Sequence, residues 1–356
     1  MNKIKKTYRH IAAILCFKSD TKALERILSN TDFDWDSIVK IGSAHFMLPA
    51  IYCRLHSKNL LVYLPKSLIE HLKEITQLNR ERNQAILEQL HAIRLLFDKH
   101  KVSYVFLKGS ALLLAGFYKN IAERMIGDID ILIAPNQLRF ANELLLKNGY
   151  STTKTQFETH SFSVNRRHLP RIYSENAIAA VELHERLFDK YEIPSLISQN
   201  ILNNKQELNS FNIPKSEHLL FHSILNWQIN DFGARYDRIS LRTAYDGLVM
   251  DNKFSGILNS VSNYNRITKK HVSLLNLIFD DYPFYSRYTL PKLFFDFRLK
   301  SLFLEKVWSW CVFVVFFIPL VIKKSSCYLT NKEYRSAVPL DRKRILNFLQ
   351  VNLKNK

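Results

Sequence analysis

Residues 102–134 read VSYVFLKGSALLLAGFYKNIAERMIGDIDILIA, and the fold turns on how this stretch is punctuated. Val102 to Leu107 is an apolar run rich in strand formers, the pattern of a buried strand. Lys108, Gly109 and Ser110 break it. Ala111 to Tyr118, rich in Leu and Ala, reads as a short helix. Asn120 to Gly127 is a polar connection. Asp128 to Ile133 is a second strand, alternating at its start, and Pro135 ends it.

Side chains two apart on a strand point to one face. Asp128 and Asp130 therefore project together, and Ile129 and Ile131 enter the core. Two adjacent carboxylates repel each other and lose hydration. A divalent cation between them relieves both costs, and oxygen ligands favour Mg²⁺ shared with a substrate phosphate. The Gly109-Ser110 turn supplies what a phosphate needs: close backbone approach, a hydroxyl, and N–H groups at the start of the next helix. Lys108 adds a positive charge beside it.

The ordered set LKGSALL, GDIDILI and a later ELH resembles the nucleotidyltransferase superfamily with a polymerase-β-type core. It is most similar to the bacterial branch of uncharacterised nucleotidyltransferase-like proteins. The resemblance covers about residues 35 to 250. Eighteen residues separate Gly109 from Asp128, longer than in compact members of the superfamily and similar to this branch. The resemblance implies an α+β fold, in which a polymerase-β-like core, a small mixed sheet with helices, is embedded in a largely helical chain. It implies Mg²⁺ and an NTP substrate, with Asp128 and Asp130 as metal ligands. Glu182 occupies the place of the third acidic residue, often an aspartate. Glutamate there ligates metal, holding the second ion of a pair, or serves as a base. His184 contacts substrate or holds Glu182. Lys108, Gly109 and Ser110 would hold the triphosphate. Arg124 either reaches it or is a solvated loop arginine.

Around this core the sequence divides into an N-terminal helical region (1–100), the core (101–190), a C-terminal helical domain (191–295), and an apolar helix with a basic tail (296–356). In the first region Thr21 to Leu28, Asp34 to Ala44, Pro49 to Leu55 and Ser67 to Lys99 carry helical periodicity, with Asp34 as a cap. The last of these has apolar residues at helical spacing from Leu68 to Leu96 and buttresses the core. After the second strand, Asn136 to Lys147 reads as a helix stopped by Asn148-Gly149. His160 to Asn165, Arg171 to Ser174 and Ile178 to His184 read as strands. In the last, Glu182 and His184 share a face. Residues 186–290 return to helices, including Ser216 to Ile229 with Ser216 as its cap. Arg235, Arg238 and Arg242 form a basic cluster that either contacts base or acceptor or is a solvated helix face.

The 356 residues are 47% hydrophobic, with no repeat and no low-complexity run, so a sizeable core is available. Cys16, Cys53, Cys311 and Cys327 have no metal or redox spacing, which suits a reducing cytosolic compartment. The N-terminal 20 residues lack a small-residue cleavage site and read as an amphipathic helix, not an export signal. A net charge of +19 implies a polyanionic neighbour, namely nucleic acid, an anionic membrane surface or a phosphorylated substrate, or else a lysine-rich source. Val307 to Ile322, VWSWCVFVVFFIPLVI, has no charge. It is short for a membrane span and admits three placements: core helix, interfacial helix or span. Its aromatic residues and flanking lysines suit peripheral association with the cytoplasmic membrane face. The acceptor classes are a free or lipid-linked sugar phosphate, a tRNA end or a protein side chain. The alternative function is a non-catalytic, membrane-associated scaffold on a degenerate nucleotidyltransferase fold.

Overall fold

The computed structural model describes residues 3–152, 167–188, 193–279 and 289–339. Five helices come first: α1 (Lys3–Leu15), α2 (Thr21–Leu28), α3 (Trp35–Ala44), α4 (Leu48–Ser57) and the long α5 (Lys66–Lys99). Asp34 caps α3 as expected, its carboxylate accepting from Ser37 N at 3.1 Å. The core follows as β1 (Tyr104–Phe106), α6 (Lys108–Leu114), β2 (Asp128–Ile133), α7 (Leu138–Lys147), β3 (Ser151–Thr152), β4 (Ile172–Tyr173) and β5 (Ala180–His184). These strands form a mixed sheet in the order β1-β2-β5-β4-β3. β1 runs antiparallel to β2, and β2 runs parallel to β5 with Asp130 opposite Glu182. The fold is therefore the expected small mixed sheet within a largely helical chain.

Several local expectations are corrected. The short helix starts at Lys108, not Ala111, and ends at Leu114, where Gly116 takes φ +60° and turns the chain. Ser216 does not cap its helix. It is the first helical residue of α9 (Ser216–Leu225), and a π-helical turn at Asn226–Asn230 interrupts the continuation. Between α8 (Ser198–Asn203) and α9 lies a hairpin that the helical reading of this region missed: β6 (Gln206–Leu208) and β7 (Phe211–Ile213). Its two-residue turn, Asn209-Ser210, has φ of +51° and +67°, the primed-turn geometry that suits the strand twist. The expected strand at His160 to Asn165 lies outside the described residues, as does the basic tail around Arg342, Lys343 and Arg344.

The remaining helices are α10 (Gly233–Tyr236), α11 (Leu241–Lys253), α12 (Ile257–Ser262), α13 (Arg266–Leu275), α14 (Thr289–Arg298), α15 (Leu302–Thr330) and α16 (Lys332–Ala337). One continuous apolar core runs from Ile11 to Leu299 and includes both faces of the sheet. α15 is outside it. Only 12% of its most apolar window is buried, so the core-helix placement of Val307 to Ile322 is not the observed one.

The long α5 buttresses the core through polar residues as well as its apolar stripe. Asn79 donates to Ala122 O (2.6 Å), and Asn83 donates to Ile121 O (2.5 Å) and Arg124 O (2.8 Å). Gln89 pairs with both backbone groups of Ala179 (2.8 and 3.1 Å). All three side chains are buried. They satisfy the backbone of the connection entering β2 and of the residue entering β5, so one helix sets where both carboxylate-bearing strands begin. Asn83→Leu would remove the donor from two part-buried carbonyls and is expected to cost roughly 2 kcal/mol. Urea unfolding measures this, and an unchanged midpoint would refute the anchoring role.

One buried and one half-buried histidine make stability acid-sensitive. Burial pushes His45 down to about 4, assisted by Arg242 and Arg238, and burial alone pushes His271 down to about 4. The unfolded chain takes up these protons near pH 6.5 while the folded chain refuses them. Their contribution is intact above pH 6.5 and is lost as pH falls toward 4, at up to roughly 3 kcal/mol per pH unit. Melting curves should show this decline, and a His45→Gln/His271→Gln variant should show a shallower one.

Candidate active site

The parallel pairing of β2 with β5 brings together residues far apart in the chain. Asp130 and Glu182 face each other in register, and His184 sits two residues beyond Glu182 on the same face. His184 Nε2 lies 2.8 Å from Asp130 Oδ1 and 3.5 Å from Glu182 Oε2. One ligand atom from each of these three falls within 4.8 Å of the others. Lys108 reaches Asp130 Oδ1 at 2.5 Å. It does so from a left-handed backbone, φ +51°, which is costly for a non-glycine residue and recurs at functional sites.

Asp128 stands at the rim. Its side chain is 29% exposed, against 3% for Asp130 and 5% for Glu182. Arg171, immediately before β4, spans Asp128 at the rim and Glu182 below it. Its Nη2 donates to Asp128 Oδ2 at 2.8 Å, and its Nε pairs with Glu182 Oε1. His168 closes the inner side, with its ring centroid 5.0 Å from that of His184.

These surroundings drive the carboxylates apart electrostatically. Burial alone would raise Asp130, but Lys108 and the hydrogen bond from His184 hold it well below the usual range. Glu182 is likewise buried, yet His184, His168 and Arg171 hold it low. Asp128 goes up, through burial and the charges of Asp130 and Glu182, which outweigh Lys108 and Arg171. Two ionised carboxylates thus form the floor, with a more basic one at the mouth.

The phosphate-side residues divide. Ser110 is completely buried, and its Oγ has no hydrogen-bond partner among the described residues. Gly109 is placed otherwise than expected. A Cβ there would meet Ile126 Cγ1 at 3.4 Å and Arg124 Nη2 at 3.8 Å, so it points into the protein and not toward a phosphate cradle. Gly109→Ala is therefore expected to fold normally. Gly109→Val should push Arg124 aside and cost about 1–3 kcal/mol, measured by thermal melting.

Arg124 is neither of the two things expected of it. It makes a two-pronged ion pair with buried Asp246 (2.8 and 3.1 Å), which also accepts from Tyr118 Oη. Tyr245 Oη donates to Glu123 Oε2 at 2.6 Å. α11 is thereby tied to the connection before β2, and the Arg124 charge is committed there. The arginine cluster is structural in part. Arg235 stacks between Phe232 and Phe316, and Arg238 donates to Ser309 at 2.8 Å. Arg242, over Phe46, is near enough to Asp231 and Asp128 to feel their charge.

Sequence reasoning missed Arg171 and His168 as site residues, and also His222 on α9. His222 is buried, with neither ring nitrogen hydrogen-bonded among the described residues, and it feels the charge of Lys108. The available signal was position: Arg171 directly precedes β4, which pairs with the strand carrying Glu182.

A strand–turn–helix followed by an Asp-x-Asp strand, with a third carboxylate on the parallel neighbour, defines a nucleotidyltransferase-type core. The sequence pattern of the uncharacterised nucleotidyltransferase family matches residues 31–254, more than half the chain, and the chain belongs to that family. No protein of curated function matches it.

Proposed function

We propose that the protein transfers a nucleoside monophosphate from an NTP to an acceptor nucleophile, releasing pyrophosphate. The observation that carries this is the in-register facing of Asp130 and Glu182, with His184 behind them and the Lys108–Ser110 turn beside them. Two buried, ionised carboxylates and an imidazole are a donor set suited to a divalent cation, and Asp128 at the rim can complete it. Oxygen-only ligation favours Mg²⁺, whereas direct ligation by His184 would favour Mn²⁺ or a similar ion. Held by these residues, such an ion would supply positive charge that offsets the negative charge developing in transfer.

The chain's own residues do the rest. Ser110 Oγ donates to a phosphate oxygen, and Lys108 Nζ neutralises phosphate charge beside Asp130. His184 holds Asp130 and Glu182 in position. The acceptor oxygen bonds to the α-phosphorus, and the bond from that phosphorus to the bridging oxygen breaks. A hydroxyl acceptor's proton passes to Asp128, the most accessible and most basic of the three carboxylates. A phosphate acceptor brings no proton that must leave.

Incubation with NTP labelled at the α- or the γ-phosphate, in fractionated host extract, tests this. Label should pass to acceptor from the α position only, and Asp130→Asn should stop it. Transfer from the γ position would replace the reading with a kinase activity. One observation favours the non-catalytic scaffold: side chains of this chain already pair with all three carboxylates. Calorimetry separates the two, since a scaffold shows no cation-dependent NTP binding.

A further inference from the structure

α15 is amphipathic in the inverted sense. Its inner side carries the polar contacts. Trp308 Nε1 donates to Tyr236 O at 3.0 Å, Ser309 Oγ accepts from Arg238, and Glu305 pairs with Arg298 at 3.2 Å. Its outer side is apolar. Val307, Trp310, Val315, Ile318, Val321 and Ile322 are exposed, three of them by more than 60%. At about 100° per residue they fall on one broad stripe. The patch continues onto α14, which exposes Leu293, Phe294 and Phe297 and joins α15 where Phe294 packs on Trp308, 5.0 Å between centroids. An exposed apolar surface on two adjacent helices marks an interaction site.

We propose that this face binds an anionic lipid bilayer, with α15 lying in the membrane plane and not crossing it. Charge selects the occupant. Lys306 and Lys324 are both exposed. They stand 18 residues apart, five whole turns, and so line up along one edge of the stripe. Basic residues beside an apolar helical face suit anionic lipid, and the chain's charge of +19 acts in the same direction. The inner contacts select the orientation. Phe316 lies near the middle of the uncharged run, and the Arg235 guanidinium rests 3.8 Å from its ring centroid. Crossing the bilayer would carry Arg235, and the body that holds it, to the hydrocarbon midplane, where a guanidinium is least tolerated. Lying flat buries the stripe and leaves Arg235, Arg238 and Arg298 with the protein. This inference is independent of the transfer reaction.

The full-length protein, carrying a C-terminal epitope, is floated with vesicles of phosphatidylcholine alone or mixed with phosphatidylglycerol. Flotation is expected with the mixed vesicles and should weaken in high salt. An Ile318→Glu/Ile322→Glu variant should lower the floated fraction about tenfold with an unchanged melting curve, because both residues are exposed. In the unmutated protein, lipids brominated near the headgroup should quench tryptophan fluorescence more than lipids brominated at the chain end. Protease added outside the vesicles should remove the epitope completely. Failure to float with anionic lipid would overturn the proposal. A protected epitope would establish a span instead. A soluble dimer dissociated by the same variant would assign the face to a second copy of the chain.

Discussion

Asp130→Asn is expected to abolish divalent-cation binding and cation-dependent NTP binding. Asp130 is the hub of the site, meeting Lys108 at 2.5 Å and His184 at 2.8 Å with its side chain almost fully buried. Asparagine keeps an oxygen for His184 but removes the charge that balances Lys108. A buried ion pair that loses one partner is destabilised, so a stability loss of about 1–3 kcal/mol should accompany the binding loss. Asp128→Asn separates the two effects. Asp128 is partly exposed and its partner Arg171 remains paired with Glu182, so binding should weaken while the melting temperature stays close to that of the parent. Titration with Mn²⁺, followed by the electron paramagnetic resonance of the free ion, measures both variants. Undiminished binding in Asp130→Asn would remove the metal assignment.

Arg171→Ala is expected to act in the opposite direction on the cation. The Arg171 guanidinium bridges Asp128 and Glu182, the carboxylates a cation would use, and so competes with it. Removing it should tighten Mn²⁺ binding by about tenfold, equivalent to roughly 1.4 kcal/mol. The same change leaves Asp128, Asp130 and Glu182 repelling each other with less compensation, so the metal-free variant should melt lower than the parent. Added Mn²⁺ should close that gap. Arg171→Lys, which keeps the charge but cannot make the two-pronged contact, should fall between. If Mn²⁺ affinity is unchanged in Arg171→Ala, the guanidinium does not compete for the site. If affinity falls, Arg171 supports the cation and does not displace it.

Much of the candidate site was legible in the chain because strand periodicity is local. The alternation of Asp128, Ile129, Asp130 and Ile131 sets which side chains share a face, whatever the strand later packs against. The same applies to Glu182 and His184 on β5, and the Gly149 stop of α7 rests on a local left-handed turn at φ +88°. The boundary of α6 was less legible, because Lys108 adopts a left-handed backbone that no local propensity favours.

In the chain by itself, a side-chain period of two residues set the Asp128–Asp130 pair, while the class of fold and the third acidic position came through the family resemblance of LKGSALL, GDIDILI and ELH. Only the tertiary structure decided what those carboxylates meet. Parallel pairing across more than 50 residues places Glu182 against Asp130, and an antiparallel neighbour delivers Arg171. Arg124 is withdrawn from the phosphate side by Asp246, over a hundred positions away, because a buried charge is stable only beside its partner. The orientation of α15 is decided in the same manner. Its composition is largely apolar, and only the contacts of Ser309, Trp308 and Phe316 with the α10 segment show which side faces the protein and which is left exposed.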